Sequence, residues 1–573
     1  MGRLARPALA SVFAALAVAV ALCVVHAPVF ATPPDDFVQE LFARGQFQAA
    51  PSGGLMPYSL VLVSVPLSAL YGVAPTVPWY AISLLVLIVV SFSIAYFRAS
   101  GLGLSRRQLA GVMCLLISCE MVCVLYFTFT VVAFVALAAG LMLILPRATF
   151  ADPGRLRASE VGGYLLVALG FSLRPESGVA ALLMFLPFLV WVLGRNRRPA
   201  SLLRALAVVL VVAASYGAGQ LAYRATPGWQ DYPAYLDAGR TVLDSQHMSA
   251  DEVRSRAPEL SENDVAVMYD WDFVDHDVFD TDLFAHIGSL ETKYGLPQLM
   301  ASLEAKVTYL LLALAAALAV LALVLSRMRR LSLGACLLSA QVVGCAVLSY
   351  LLVVMRGRPR IHIVVPIAIV TLMALIVCCE GPTRKAGRRH AQPAAAGEGR
   401  GSSGASALRG RIALGVVCLA CAVGLAGFWY TSVRPLQSRL DLPFASVAGQ
   451  YVAENPDTLV VFGHTQSAWF SGMDAFSSAS WVCPDNVMFV GGWESETASW
   501  DASLARWGLD DGDPLMQLAN RRDMTLVATE QTASLIEGYL REHVGAQVSA
   551  TRVKDLGTGA ASDAMISVWS FSA

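Results

Sequence analysis

Asp35 and Asp36 are adjacent carboxylates in Pro33-Pro34-Asp35-Asp36-Phe37, directly after the first long apolar segment of the chain. A carboxylate within hydrogen-bond reach of a hydroxyl can act as its general base or orient it for attack. The same oxygens can hold a hard divalent cation, with Mg²⁺ or Mn²⁺ as the candidates. A structural role stands beside these. Pro33-Pro34, an acid, and a run that ends at Gly45 also describe a helix with an acidic cap and a glycine stop.

The second set of chemical residues is basic. Arg174-Pro175-Glu176 interrupts an apolar run, and Arg356-Gly357-Arg358-Pro359-Arg360 separates two others. Arginine presents a planar fork of donors that matches phosphate oxygens. Arg174, Arg356, Arg358 and Arg360 are therefore candidates to neutralise a phosphate whose charge grows as a bond to it breaks. Snorkelling at a membrane interface is the plainer alternative.

A third set lies between residues 223 and 306. It holds Trp229, Tyr232, Tyr235, Arg240 and Asp244, then Trp271-Asp272-Phe273-Val274-Asp275-His276-Asp277. Aromatic faces interleaved with carboxylates suit a sugar, so Trp229, Arg240, Asp244, Trp271 and Asp275 are candidate sugar contacts. A solvated acidic face explains the same residues. The acidic run 270–282 lacks the glycine and spacing of an EF-hand loop, and His247, His276 and His286 show no metal-ligand spacing. The ligands of any metal stay unassigned. Glu120, inside an apolar run, is either a functional intramembrane acid or the mark of a hairpin between two spans.

The elements that must position these residues are membrane helices. The chain has 573 residues, 56% hydrophobic and 14% charged, against about 25% charged in soluble proteins. Its formal net charge of -1 gives no sign of nucleic-acid binding. Apolar blocks predict eleven crossings, at 8–30, 79–97, 109–126, 127–145, 161–173, 179–193, 205–221, 307–325, 331–354, 361–379 and 412–429. The block 8–30 is too long for a signal-peptide core and reads as an uncleaved span. The segment 57–71 is left as re-entrant or interfacial. Five basic connectors, among them Arg106-Arg107, Arg197-Arg198 and Arg388-Arg389, then share the cytoplasmic side with the N-terminus. No turn residues separate the third and fourth blocks.

The expected organisation is a transmembrane domain over 1–380 with outer loops 31–78 and 223–306. A flexible cytoplasmic linker, 381–411, leads to the last helix, 412–429. A small extracytoplasmic α/β domain fills 430–573, with strand-like runs at 458–462, 487–491, 524–528 and 565–571 and a helical pattern at 532–544. Ten of the eleven cysteines lie in apolar blocks, where they act as small hydrophobes, and Cys483 stands alone in the soluble part.

An acidic pair in a long first outer loop, a re-entrant segment, many further spans and an outer C-terminal domain together resemble the GT-C superfamily of integral-membrane glycosyltransferases. Asp35-Asp36-Phe37, Gly45, Leu70-Tyr71 and Trp79-Tyr80 are similar to a group of bacterial GT-C-like membrane proteins. So is the pattern Trp229, Tyr235, Arg240, Asp244, Glu262-Asn263-Asp264 and Trp271. The likeness runs to about residue 412, and the family's acidic pair maps onto Asp35 and Asp36 only. It implies a transferase of the bacterial plasma membrane. Such an enzyme moves a sugar from a polyprenyl-phosphate-linked donor to a glycan, lipid or protein of the cell envelope. A transporter or flippase of an envelope lipid, or a noncatalytic envelope assembly protein, would fit the same composition.

Overall fold

The computed structural model describes residues 2–150, 154–195, 198–243, 249–289, 333–355, 360–380, 402–463, 469–470, 472–509, 513–558 and 564–573. The helices begin with α1 (Gly2–Val25), α2 (Pro33–Arg44), α3 (Val61–Val73) and α4 (Trp79–Gly101). The next are α5 (Arg106–Leu125), α6 (Phe129–Phe150), α7 (Ala158–Leu173), α8 (Pro175–Gly194) and α9 (Pro199–Ala225). Four shorter helices follow: α10 (Tyr232–Leu243), α11 (Ala250–Arg256), α12 (Glu262–Tyr269) and α13 (Thr281–Gly288). Then come α14 (Leu333–Met355), α15 (Ile361–Cys379) and α16 (Ser402–Phe428).

This is a polytopic α-helical membrane protein with a mixed α/β region at its C-terminal end. Among the described residues nine helices are long and apolar enough to cross a membrane: α1, α4, α5, α6, α8, α9, α14, α15 and the segment that opens with α16. The expected crossing at 161–173 falls in α7, which has only 16 residues. The block 307–325 lies outside the described residues. The segment 57–71 yields α3, whose 13 residues reach about 20 Å, short of a bilayer core of about 30 Å. Helix α16 starts at Ser402, so residues 402–411, expected to be linker, are helical.

Helix α6 is the axis of the bundle, with 94% of its most apolar stretch buried. Glycine allows α7 to approach it closely. A Cβ on Gly140 would stand 2.5 Å from the Gly163 carbonyl, and one on Gly170 would stand 2.6 Å from the Leu137 nitrogen. Small residues permit such contact between helices in a membrane, where burial from water supplies no driving force. The join between α5 and α6, which carries no turn residues, is a short break at Tyr126–Thr128. There Phe127 forms a parallel bridge with Phe30, and its carbonyl accepts from Ala31 N at 2.8 Å. Backbone groups freed by the break are thus paired with the segment that leads from α1 to α2. Glu120 lies within α5, before this break, fully buried and bonded by the Tyr96 hydroxyl; it does not mark the hairpin.

The C-terminal region contains α17 (Phe444–Glu454), α18 (Ala498–Trp507), α19 (Pro514–Asn520) and α20 (Glu530–His543). They accompany β1 (Leu459–Phe462), β2 (Val487–Phe489), β3 (Met524–Thr529), β4 (Ser549–Thr558) and β5 (Met565–Ser572). The sheet order is β2-β1-β3-β5-β4. Strand β1 is parallel to β2 and β3, and β5 is antiparallel to β3 and β4. The edge strand β2 is covered by the first loop. The Gln48 amide donates to the Phe489 carbonyl at 2.7 Å and accepts from Phe489 N at 3.0 Å, as a neighbouring strand would. Arg44, in the last turn of α2, donates to the carbonyls of Ser478 and Trp481. Helix α2 therefore joins the bundle to the α/β region, and the acidic pair opens it.

Candidate functional site

The N-cap of α2 is Thr32, so neither aspartate caps its own helix. Both sit in the first turn behind Pro33-Pro34, where the helix dipole favours a negative charge. Their surroundings differ. Asp36 is fully buried. Its Oδ1 accepts from Phe129 N at 3.0 Å and the Tyr80 hydroxyl at 3.1 Å, and its Oδ2 accepts from Thr32 Oγ1 at 2.7 Å. Phe129 N is one of the open donors at the start of α6, so Asp36 caps that helix across the chain. Burial pushes its carboxyl up to about 7, against the hydrogen bonds that favour the charged form. One turn on, Glu40 is buried between the hydroxyls of Tyr71 and Ser478. Tyr71 in turn accepts from Tyr80 N at 2.9 Å. Asp36 and Glu40 lock α2 against α4, α6 and the C-terminal region.

Asp35 is half-buried. Its charge is felt at Tyr58 and at Glu494. Tyr58 has φ +61, an unusual conformation for a tyrosine, and its N–H donates to the Tyr232 hydroxyl at 3.1 Å. Two guanidiniums lie against its ring, Arg174 at 5.8 Å and Arg240 at 5.1 Å from the centroid. Arg174 also packs 5.0 Å from the Phe129 ring and donates to Thr130 Oγ1 at 2.7 Å. Thus Thr128-Phe129-Thr130, at the mouth of α6, serves Asp36 through a backbone N–H and Arg174 through a hydroxyl. Glu176 pairs with Arg240 and lies 3.8 Å from Arg174. One carboxylate already bridges the two arginines, which shows that their geometry accepts an oxyanion.

The fourth side comes from the C-terminal region. Gly491 and Gly492 have φ of +104 and +81, and Gly492 N donates to the Trp271 carbonyl at 3.0 Å. The turn buries Trp493 against Trp271 and Phe273 and presents Glu494, which is 6% exposed. Burial, with a smaller contribution from the Asp35 charge, pushes the Glu494 carboxyl up to about 8.

The sequence candidates divide accordingly. Arg174 and Arg240 come together on the Tyr58 ring, and the Asp35 charge acts on the same tyrosine. Arg360 caps α15 and is exposed, and its charge reaches Tyr126 at the α5–α6 break. Arg356, Arg358, Asp244 and His247 lie outside the described residues. Trp229 is fully buried, its indole N–H bonded to the Ser52 carbonyl at 2.8 Å, and so offers no open face. Trp271 is partly buried at φ +70 in the interface under Trp493. His276 lies 3.4 Å from Glu496, and His286 bonds to the Arg256 carbonyl. The pattern reading missed Tyr58, Thr130, Glu176 and Glu494. Only the Gly491-Gly492 pair before Trp493-Glu494 offered a signal, since adjacent glycines mark a turn that other residues resist.

Asp275 is a clamp. Fully buried, it accepts from Leu515 N at 3.1 Å and from the Tyr539 hydroxyl at 2.9 Å. Burial first, then the nearby Asp513 charge, push its carboxyl up to about 8, against about 3.9 in an unfolded chain. The folded state therefore binds this proton more tightly. Its stabilising effect is complete below pH about 4, declines as the pH rises, and is gone above pH about 8. Asp275→Asn, whose amide lets the Tyr539 hydroxyl reverse its role, is expected to flatten the fall in melting temperature between pH 5 and 8. Thermal melts of both proteins across that range are the check, and identical slopes would contradict the assignment.

One group among the described residues has the composition of a cation site: Asp264, Glu542 and His543. Its atoms are already paired. His543 Nε2 lies 2.7 Å from Asp264 Oδ1, Asp264 Oδ2 accepts from Ser261 N, and Glu542 accepts from Asn263. A His-Asp-Glu set is suited to a divalent metal by chemistry, and the contacts present join α12 to α20.

No family model matches the chain. No curated protein sequence matches it either. Among solved structures, the chain is similar to the crystal structure of ArnT from Cupriavidus metallidurans in the apo state. The match covers 98% of this chain and 97% of that one, at 11% identity and a TM-score of 0.38. At that distance residues are not matched across the two chains.

Proposed function

We propose that this protein is a glycosyltransferase of the bacterial plasma membrane. It transfers a sugar from a polyprenyl-phosphate-linked donor to a cell-envelope glycan, lipid or protein on the outer face, with the N-terminus cytoplasmic. The observation that carries this reading is the arginine pair, Arg174 and Arg240, packed on the Tyr58 ring, with Asp35 near enough for its charge to act on that tyrosine. Asp35 takes the proton of the acceptor hydroxyl as that oxygen bonds to the anomeric carbon. The bond from that carbon to the phosphate oxygen breaks in the same displacement, with inversion. The arginines stabilise the charge that returns to the polyprenyl phosphate. Asp36 is a positioning residue, because its oxygens are engaged by α2, α4 and α6. Arg360, Arg356 and Arg358 are candidates for the more distant part of the donor.

Cells that lack the protein are expected to accumulate one polyprenyl-linked sugar, cleared by the wild-type gene and not by the Asp35→Asn variant. An unchanged pool of lipid-linked sugars would contradict the proposal. Arg174→Lys is expected to lower kcat by about 10–100-fold, the equivalent of about 1.5–3 kcal/mol for a charged hydrogen bond. Lysine keeps the charge and loses both the planar stack on Phe129 and the fork. A rise in donor KM at unchanged kcat would show instead that the arginine binds ground state and transition state alike.

A further inference from the structure

Glu494 is the buried acid that the proposed transfer leaves without a task. Three features hold it where it is. Gly491 is confined by the Trp271 carbonyl, 2.5 Å from where its Cβ would stand. A side chain on Gly492 would meet Glu494 Oε2 itself, and one on Gly239 would meet the Trp493 ring. The carboxylate takes backbone N–H groups of the Trp493-Glu494 turn, yet Oε2 has no hydrogen-bond partner among the described residues. A buried oxygen without a partner costs stability, and a packed turn that keeps one calls for a reason. The Glu494 charge acts on Tyr58 and Tyr232, the Asp35 charge acts on Glu494, and the Arg240 guanidinium lies 5.1 Å from the Tyr58 ring centroid.

We propose that Glu494 contacts the substrate, its Oε2 edge binding a sugar hydroxyl opposite Asp35. The C-terminal region would then complete the sugar site. This rests on the transferase reading for the identity of the sugar and on the buried oxygen for its place. A protonated Glu494 donates to a hydroxyl oxygen while ionised Asp35 accepts from a hydroxyl, so the pair fits neighbouring hydroxyls of one ring. Above its pKa Glu494 would ionise beside Asp35, and both would compete as acceptors.

The test uses full-length protein in lipid nanodiscs and infrared difference spectroscopy of its carboxyl groups. The wild type is expected to show a protonated buried carboxyl that titrates near pH 8 and is absent from Glu494→Gln. Asp35→Asn should move that titration to lower pH, because a like charge is removed. Methyl glycosides should perturb the band, and polyprenyl phosphate alone should not. A band untouched by Glu494→Gln, by Asp35→Asn or by every glycoside would overturn the proposal. In transfer assays Glu494→Ala should raise acceptor KM about 10-fold or more, one buried hydrogen bond by the usual conversion. Glu494→Gln should raise acceptor KM less than Glu494→Ala does, because its amide can still donate, and should lose the alkaline decline. An unchanged acceptor KM in Glu494→Ala would sink the Glu494 contact and leave the transferase standing. Glycosides that perturb the band in a wild type that transfers no sugar would leave Glu494 standing and sink the transferase.

Discussion

Asp35→Asn is expected to lower sugar transfer by about 10²–10⁴-fold, the usual loss when a general base is removed, and to leave the protein inserted and folded. Asparagine matches the shape of aspartate, and the α2 cap is Thr32, so the helix start survives. The loss of charge at the first turn costs only about 0.3–1 kcal/mol. Asp36→Ala should behave in the opposite way. It leaves Phe129 N and the Tyr80 hydroxyl buried without their acceptor, at about 1–3 kcal/mol each. Its defect should therefore appear in melting temperature and yield. Melts and transfer rates per folded molecule separate the two. Full activity in Asp35→Asn would make Asp35 a structural acid and end its assignment as the base.

Glu160→Ala is expected to lower stability by about 3–5 kcal/mol, the cost of breaking a buried ion pair from one side. Glu160 is fully buried near the start of α7. It accepts from Arg147 of α6 at 2.5 Å, from Arg204 of α9 at 2.5 Å and from Arg157 N at 3.0 Å. Arg204 is 6% exposed and also donates to the carbonyls of Ala200 and Gly154. Without the carboxylate the two guanidiniums would lose the buried acceptor that they share. Glu160→Gln should cost less, because its amide oxygen still accepts. The measurement is a thermal melt in one detergent. Transfer per folded molecule should be unchanged, since the network touches none of Asp35, Tyr58, Arg174 or Arg240. An unaltered melting temperature would mean that solvent or lipid already screens the network.

The membrane architecture was legible because bilayer thickness sets a length that apolar runs must meet. Strands β1, β2, β3 and β5 were legible for a related reason: their side chains are mostly buried, so apolar runs mark them. Strand β4 was not. It is an edge strand whose residues, among them Arg552, Lys554 and Asp555, face outward, so no apolar pattern betrays it. The break at Tyr126–Thr128 was legible as the boundary of two apolar blocks at 126/127, but what holds it was hidden. Its pairing partner, Phe30, is remote in sequence, and no local turn chemistry is needed. At the site, Asp35 and Asp36 stood out as a pair, but their division of labour did not. It depends on Tyr80, Thr32 and Phe129, which three different elements bring together. Glu494 was invisible for the same reason. The Gly491-Gly492 pair marks a turn beside it, but a turn signal does not say which distant elements will pack against residue 494.

The most direct measurement gives purified protein radiolabelled polyprenyl-phosphate sugars and a cell-envelope extract, in proteoliposomes whose two faces are assayed separately. The label is expected to move covalently from lipid to acceptor with wild type, to fall about 10²–10⁴-fold with Asp35→Asn, and to fall less with Arg174→Lys. Label that crosses the membrane still attached to its original lipid, at equal rates in wild type and Asp35→Asn, would contradict the transferase account and identify a carrier of lipid-linked sugar.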